Sequence, residues 1–353
     1  MEEEIIKEKS GYAEQMDEPI PQLAVPKKKK VAKKKEEKEP QLIDLPGVGA
    51  GTVSKLEDAG ITDMIGVAVL TPKQLNEKTG ISEAVGRKVI QAAYSFTDMD
   101  FKSGLKYEKK QSDKFTITTG SKNIDALLGG GGIKSRVITE CYASFGGGKS
   151  QIGMMLATAV QLPLDKGGVD GKAVYIDSEG SYSQNRVRQF AEGLKLNPDK
   201  AVDNIFVARA VNSNHQMLLL EKVDEMIRNG EPIKLMVIDS LMVHFRSEFL
   251  GRAQLSERQI KLTKYLSDIV KLAEKHNVAV YITNQVMIDP AQMFGDPTKP
   301  IGGSFLGHTS KYRMYIRKGK QGTRVCKLVD SPDLPDDETI FTIDENGFGD
   351  IDL

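Results

Sequence analysis

The sequence predicts an α/β protein, a mostly parallel sheet with helices on both faces, preceded by a small all-helical unit and a charged tail. Three observations predict it. From about Thr116 to Leu353, β-rich apolar runs (RVITECY, KAVYIDSEG, NIFVARA, KLMVIDSL, VAVYITNQ) alternate with amphipathic stretches such as Gln151 to Val160, Gln184 to Leu194 and Gln216 to Arg228. That alternation is the signature of parallel strands joined by crossover helices. A glycine-rich turn, Gly146-Gly147-Gly148, separates the first apolar run from the first helical stretch. Residues 41–96, by contrast, show short helical periods broken by glycine.

The chain of 353 residues is long enough for one large buried core and a smaller one. Residues 1–40 mix acids with the run KKKKVAKKKEEKE and show no apolar period, so they read as a disordered tail. Its lysines could contact phosphates, but a solvated charge run needs no partner. Residues 41–96 form the helical unit. Within it Leu45-Pro46-Gly47-Val48-Gly49 joins two helices, and Gly47 and Gly49 are expected to turn the backbone so that amides at the next helix start face outward. Unpaired amides there favour phosphate. The motif resembles a helix-hairpin-helix, a sequence-independent binder of the DNA backbone, and Gly80 to Lys88 looks like a weaker second copy; a turn used only for packing is the competing reading. Residues 97–115 are a polar connector in which Phe101 stands as an isolated aromatic. Residues 116–353 carry the sheet, and after Asn284 the runs RMYIRKG, TRVCKLVD and TIFTID read as hairpin-like strands added at one edge.

Composition excludes some functions. Apolar residues make up 39% and charged residues 28%, which is globular rather than fibrous or wholly disordered. Formal charge is zero, so no global basic field announces nucleic acid, although local basic stripes would suffice. Cys141 and Cys326, the two cysteines, lie far apart in apolar runs, which fits small buried residues rather than a disulfide framework or metal spacing. No apolar run is long enough to span a bilayer and the start MEEEIIKEKS lacks a signal-peptide pattern, so a cytoplasmic, membrane-free protein is expected.

The turn Ala143-Ser144-Phe145-Gly146-Gly147-Gly148-Lys149-Ser150 sits between strand and helix, as a phosphate-binding loop requires. Glycines let amides wrap phosphates, Lys149 brings a point charge, and Ser150 offers a hydroxyl to Mg²⁺. Ala143 stands where the stricter pattern has glycine. Asp239 ends a buried strand, LMVID, and is expected in the Mg²⁺ shell. Glu179, after the strand AVYID, lies at the same edge of the sheet and could polarise an attacking water.

Taken together, GGGGIKSRVITECYASFGGGKSQ, KAVYIDSEGSY, LMVIDSLMVHFRSEFLGRAQLSERQIKL, YITNQVM, GDPTKPIGGSFLGH and LVDSPDLP resemble the archaeal RadA recombinases, from about Leu45 to the carboxyl end. The resemblance implies a RecA-like ATPase core using ATP and Mg²⁺, with nucleotide held by Ala143 to Gln151. It assigns water activation to Glu179 and γ-phosphate sensing to Gln285. It implies two DNA-binding loops, the first with Arg252 and Arg258, the second running from about Met287 to Leu306 with Gly302 and Gly303. It also implies self-association into a filament or ring on single-stranded DNA, followed by pairing with duplex DNA. Phe101 and Gly104 match a polymerisation motif, an aromatic followed by a small residue that docks into the adjacent subunit, with glycine where alanine is usual. Asp330 to Pro335, including Pro332, would close the neighbour's nucleotide, and His308 would approach its phosphates. Ser183 departs from the pattern, standing after Tyr182 where an arginine expected to stack on adenine would be. A paralogue that binds ATP and DNA as a recombination mediator without efficient strand exchange is the alternative.

Overall fold

The computed structural model describes residues 41–45, 48–97, 101–288 and 297–351, with only the backbone given for Lys110, Arg252 and Ser304. The expected tail and Gly47 lie outside the described residues. Helices α1 (Ala50–Asp58), α2 (Met64–Ala68), α3 (Pro72–Thr79) and α4 (Glu83–Phe96) close around their own apolar cluster, which includes Leu56, Val67, Leu75 and Val89. Local chemistry sets their ends. Thr71 and Gln74 form a reciprocal cap at the start of α3, Pro72 takes the first turn, and Gly80 ends the helix at φ +68°. On α4, Gly86, Val89, Ile90 and Ala93 recur at helical spacing and are buried. The polar connector contains a short helix, α5 (Gly104–Lys110), so Gly104 is its first helical residue rather than part of an extended link.

β1 (Thr116–Ile117) pairs with β2 (Ile133–Lys134) across α6 (Lys122–Leu127). Strands and helices then alternate as β3 (Ile138–Ala143), α7 (Lys149–Ala159), β4 (Lys172–Asp177), α8 (Gln184–Gly193), α9 (Pro198–Asp203), β5 (Ile205–Arg209) and α10 (Ser213–Arg228). After β6 (Ile233–Asp239) come α11 (Val243–Glu248), α12 (Leu255–His276) and β7 (Ala279–Asn284). The remainder is β8 (Val286–Ile288), β9 (Thr298–Pro300), α13 (Gly303–Thr309), β10 (Tyr312–Lys318), β11 (Arg324–Asp330), β12 (Asp337–Ile343) and β13 (Phe348–Asp350).

Among the described residues the central sheet has nine strands in the order β13-β12-β11-β10-β3-β7-β6-β4-β5. From β10 to β5 all neighbours are parallel. β11 to β13 complete one edge as antiparallel strands. RMYIRKG, TRVCKLVD and TIFTID are the hairpin-like edge strands expected, with β10 antiparallel to β11 and β11 to β12, and β10 joins them to the core by running parallel to β3, Tyr312 opposite Thr139 and Ile316 opposite Ala143. α13 makes the crossover that permits this, and its seven residues are too few to show a helical period.

Both faces of the sheet are covered, which is why β3 and β7 are buried at every position. Cys141, Tyr175, Val237 and Tyr281 join one apolar cluster, while Val174, Met236, Val280 and Leu266 join the other. Gly153 lets α7 approach the sheet, since a Cβ there would lie 3.1 Å from Val237 Cγ1. Cys141 and Cys326 are both free thiols in the core. Among the described residues no helix is long and apolar enough to cross a membrane.

Candidate functional site

Because β3, β7, β6 and β4 are parallel, their carboxyl ends share one edge, where open α/β sheets present ligand sites. The turn after Ala143, the pair Asn284-Gln285, Asp239 and the Asp177–Tyr182 segment all emerge there.

In the phosphate turn the glycines answer different demands. Gly146 and Gly148 sit at φ +73° and +112°, where side chains are strained, and a Cβ on Gly147 would meet Ala143 Cβ at 2.6 Å. The Ala143 methyl is itself buried, so this departure from glycine is accommodated by the core. Gly148 starts α7, whose first-turn amides lack helical partners and suit an anion. Lys149 Nζ donates to the carbonyls of Ala143 (3.0 Å) and Ser144 (3.3 Å), holding an ammonium across the turn, and Phe145 is exposed. Gln151, one residue past Ser150, accepts from Arg186 Nε at 2.6 Å. Arg186 also donates to the carbonyls of Asp344 and Glu345, tying α8 and the β12–β13 turn to the start of α7. Ser183 is the cap of α8, accepting from Arg186 N–H at 3.3 Å.

Asp239 is buried at the end of β6. Its Oδ2 accepts from Tyr175 (2.7 Å) and Ser181 (2.6 Å), and its Oδ1 accepts from Thr283. Burial first, and the Asp239 charge second, push the Tyr175 phenol well above its ordinary pKa, so it stays a donor. Among the described residues no basic side chain pairs with Asp239. A buried carboxylate satisfied only by neutral hydroxyls retains acceptor capacity toward a hydrated cation. This chemistry, with the Ser150 hydroxyl at the head of α7, fits Mg²⁺.

Glu179 and Gln285 meet: Gln285 Nε2 donates to Glu179 Oε1 at 3.0 Å, and Ser240 Oγ donates to the same oxygen at 2.5 Å. Two neighbours fix them. Asp177, which the sequence reading did not single out, accepts from the N–H groups of Glu179 (3.1 Å), Gly180 (2.6 Å), Ser181 (3.2 Å) and Tyr182 (3.3 Å) and from Arg209. An aspartate between a strand end and a glycine, Gly180 at φ +76°, was the available sign of such a turn. Asn284 donates to Glu140 Oε1 (2.8 Å) and accepts from Gln285 N–H (2.8 Å), while Arg313 pairs with the fully buried Glu140 at 2.9 Å. Breaking one member of such a buried pair costs about 3–5 kcal/mol, because the other charge stays behind.

The remaining expected residues fall elsewhere. In strand register Asp330 lies opposite Arg313 and Arg313 opposite Glu140, so Asp330, Pro332 and Pro335 lie toward the start of β3, away from this chain's own phosphate turn. His308 is exposed, three residues before Lys311, whose N–H bonds Ile138 at that same distant end. Arg258 stands half-buried in the first turn of α12, and Arg252 begins a 3-10 turn before it. In the described part of the second loop β8 pairs with β9, and α13 follows. Its glycines explain why the turn is tight, with Gly302 at φ +112° and Gly303 at φ +74° heading α13. Residues 289–296 of that loop lie outside the described residues. Gly49 differs from expectation too, since it caps α1 at φ −101° with open space around a Cβ, so its backbone does not demand glycine.

Comparison with known proteins matches residues 110–351 to the Rad51 family. DNA repair and recombination protein RadA of Aeropyrum pernix is 44% identical over 309 residues, covering 88% of this chain and 96% of that protein. A match of this extent runs through every strand of the sheet and both acids at its edge, and with it the chain belongs to the Rad51/RadA family of DNA repair and recombination proteins.

Proposed function

We propose that this protein is a DNA-dependent ATPase that assembles on single-stranded DNA as a filament and catalyses homologous pairing and strand exchange in recombinational repair. One observation carries the reading furthest: Gln285, which leads into the β8–β9 ribbon, is hydrogen-bonded to Glu179 at the edge where the phosphate turn lies. A carboxylate that orients water and an amide that leads into a distant loop share one contact, so nucleotide state and loop position are coupled by it.

ATP is bound by Ala143 to Gln151, with Lys149 leaving its carbonyl partners to face the β- and γ-phosphates. Mg²⁺, held by the Ser150 hydroxyl and through water by Asp239, would neutralise phosphate charge. Glu179 accepts a proton from the attacking water, and Gln285 responds to the γ-phosphate. Residues 41–96 serve as a helix-hairpin-helix DNA-binding domain, using Gly47 and Gly49 for close backbone approach. Residues 97–115 form the polymerisation linker through Phe101 and Gly104, and residues 116–353 form the RecA-like core. Asp330, Pro332, Pro335 and His308 act on the neighbouring subunit's nucleotide, which accords with their distance from this chain's own turn. Strand exchange between homologous DNAs should proceed with ATP, and with a non-hydrolysable analogue pairing should form while release of the DNA stalls. Absence of joint molecules under both conditions would overturn the proposal.

Arg252 and Arg258, with Gly302 and Gly303 shaping the second loop, contact DNA phosphates. Replacing both arginines with alanine should weaken single-stranded DNA binding and reduce its logarithmic salt slope by roughly 1.4, at about 0.7 per lost contact. Binding titrated over a salt series measures this, and an unchanged slope would move the DNA site elsewhere.

A further inference from the structure

The segment Asp330–Pro335 is anchored to its own chain by groups with no part in the chemistry above. Asp333 accepts from Lys134 Nζ at 2.8 Å through one oxygen and from the Tyr312 hydroxyl at 2.7 Å through the other. Lys134 Nζ also donates to the Tyr312 oxygen at 2.5 Å, closing a three-membered ring of hydrogen bonds. Lys134 comes from β2, Tyr312 from the first position of β10, and Asp333 from the segment itself. Leu334, next in sequence, packs against the core beside Gly129, and Ser331 folds the segment on itself by bonding both the N–H and the carbonyl of Leu334.

Exposure decides what this arrangement is worth. The Lys134 and Asp333 side chains are 30% and 51% exposed, and an ion pair that open adds little by itself. Tyr312 is only 4% exposed, so its hydroxyl is a fixed point in the core from which both charged groups are aimed. The Lys134 hydrogen bond is the largest influence holding the Asp333 carboxyl below its ordinary range, so it remains an acceptor. A turn that only needed to be stable could be closed by Ser331 and Leu334. The added ring fixes its direction.

We infer that Lys134, Tyr312 and Asp333 form a latch that positions the Asp330–Pro335 segment to close the nucleotide of the adjacent subunit. This rests on the composite nucleotide site proposed above. The latch residues are positioning residues: they act on a nucleotide they do not touch, across a subunit boundary. Loosening the latch should therefore harm a neighbour's ATP binding and leave the subunit's own phosphate turn intact.

The experiment uses the full chain on single-stranded DNA. Lys134→Ala and the milder Tyr312→Phe, which keeps the ring, should each raise the apparent KM for ATP by roughly 3- to 10-fold with kcat at saturating ATP little changed, the pattern of lost ground-state binding. Lys134→Arg should restore most of it. Each variant is then mixed one to one with Glu179→Gln, which on the present reading binds ATP without hydrolysing it and carries an intact latch. About half of the variant subunits then gain an intact neighbour, so turnover at low ATP per variant subunit should rise toward the unmixed wild-type value. Asp330→Ala mixed with Glu179→Gln is the parallel control. An unchanged KM in the latch variants overturns the latch. A raised KM that mixing does not rescue, while Asp330→Ala is rescued, also overturns it, because the defect then lies within the subunit. Failure of rescue for Asp330→Ala as well removes the composite site, and the latch with it.

Discussion

Lys149→Ala is expected to abolish ATP turnover and, with it, release of exchanged DNA. In the structure the Lys149 ammonium is held across the phosphate turn by the carbonyls of Ala143 and Ser144, and on the proposed reading it leaves them to face the charge that develops on the transferred phosphoryl group. Electrostatic groups positioned in this way commonly account for a factor of about 10² to 10³ in kcat. Alanine keeps the helical propensity of α7 and leaves the glycine geometry of the turn untouched, so the loss should appear in phosphate release and not in folding. Normal turnover in the variant would remove the assignment of the phosphate turn. Strand exchange measured alongside should fall to background, since binding at the turn is what the rest of the cycle responds to.

Phe101→Ala is expected to break the filament into short oligomers or monomers. The Phe101 side chain is fully exposed, ahead of a short polar helix that begins at Gly104. A ring that fills a pocket on another subunit typically costs on the order of 2 kcal/mol or more when truncated, which is about thirtyfold in the association constant of each contact. Because a filament multiplies that contact along its length, the mean length should collapse. ATPase activity should fall together with assembly, although Phe101 lies outside the proposed nucleotide site, since on the proposed reading each site is completed by the next subunit. Sedimentation or light scattering with and without DNA reads the assembly, and phosphate release reads the turnover. Long filaments in the variant would refute the linker assignment; dissociated subunits that hydrolyse ATP at the normal rate would refute the composite site.

Much of this was legible in the residues alone. The five apolar runs became β3 to β7: β3, β4, β6 and β7, covered on both faces, leave a nearly uninterrupted apolar record, the edge strand β5 is only partly buried, and the phosphate turn followed from three consecutive glycines at a strand-to-helix junction. Glu179 and Gln285 were separately recognisable, but their contact was not, since it depends on β4 and β7 being separated by β6 alone in the sheet order. The parallel direction of β10 was hidden for a similar reason: strand direction is decided by a crossover, and α13 is too short to announce itself. Asp177 and Arg186 escaped notice because their work is done through backbone amides and carbonyls, which any sequence possesses. Gly49 shows the opposite error, a glycine to which a conformational demand was attributed that its dihedral angles do not make.

The end of β7 holds one consequence beyond chemistry. Asn284 is fastened to the buried Glu140–Arg313 pair and to the carbonyl of Ile301, whereas the side chain of Gln285, one residue later, rests on Glu179 near the surface. A fulcrum lies between these two residues. Displacing the Gln285 side chain cannot be relaxed backward into the sheet, because doing so would unseat a charge with no access to water. On the proposed reading, in which Gln285 responds to the γ-phosphate, the motion would be directed forward into the β8–β9 ribbon that follows it. The rigidity of the buried pair is thus what gives the lever its direction.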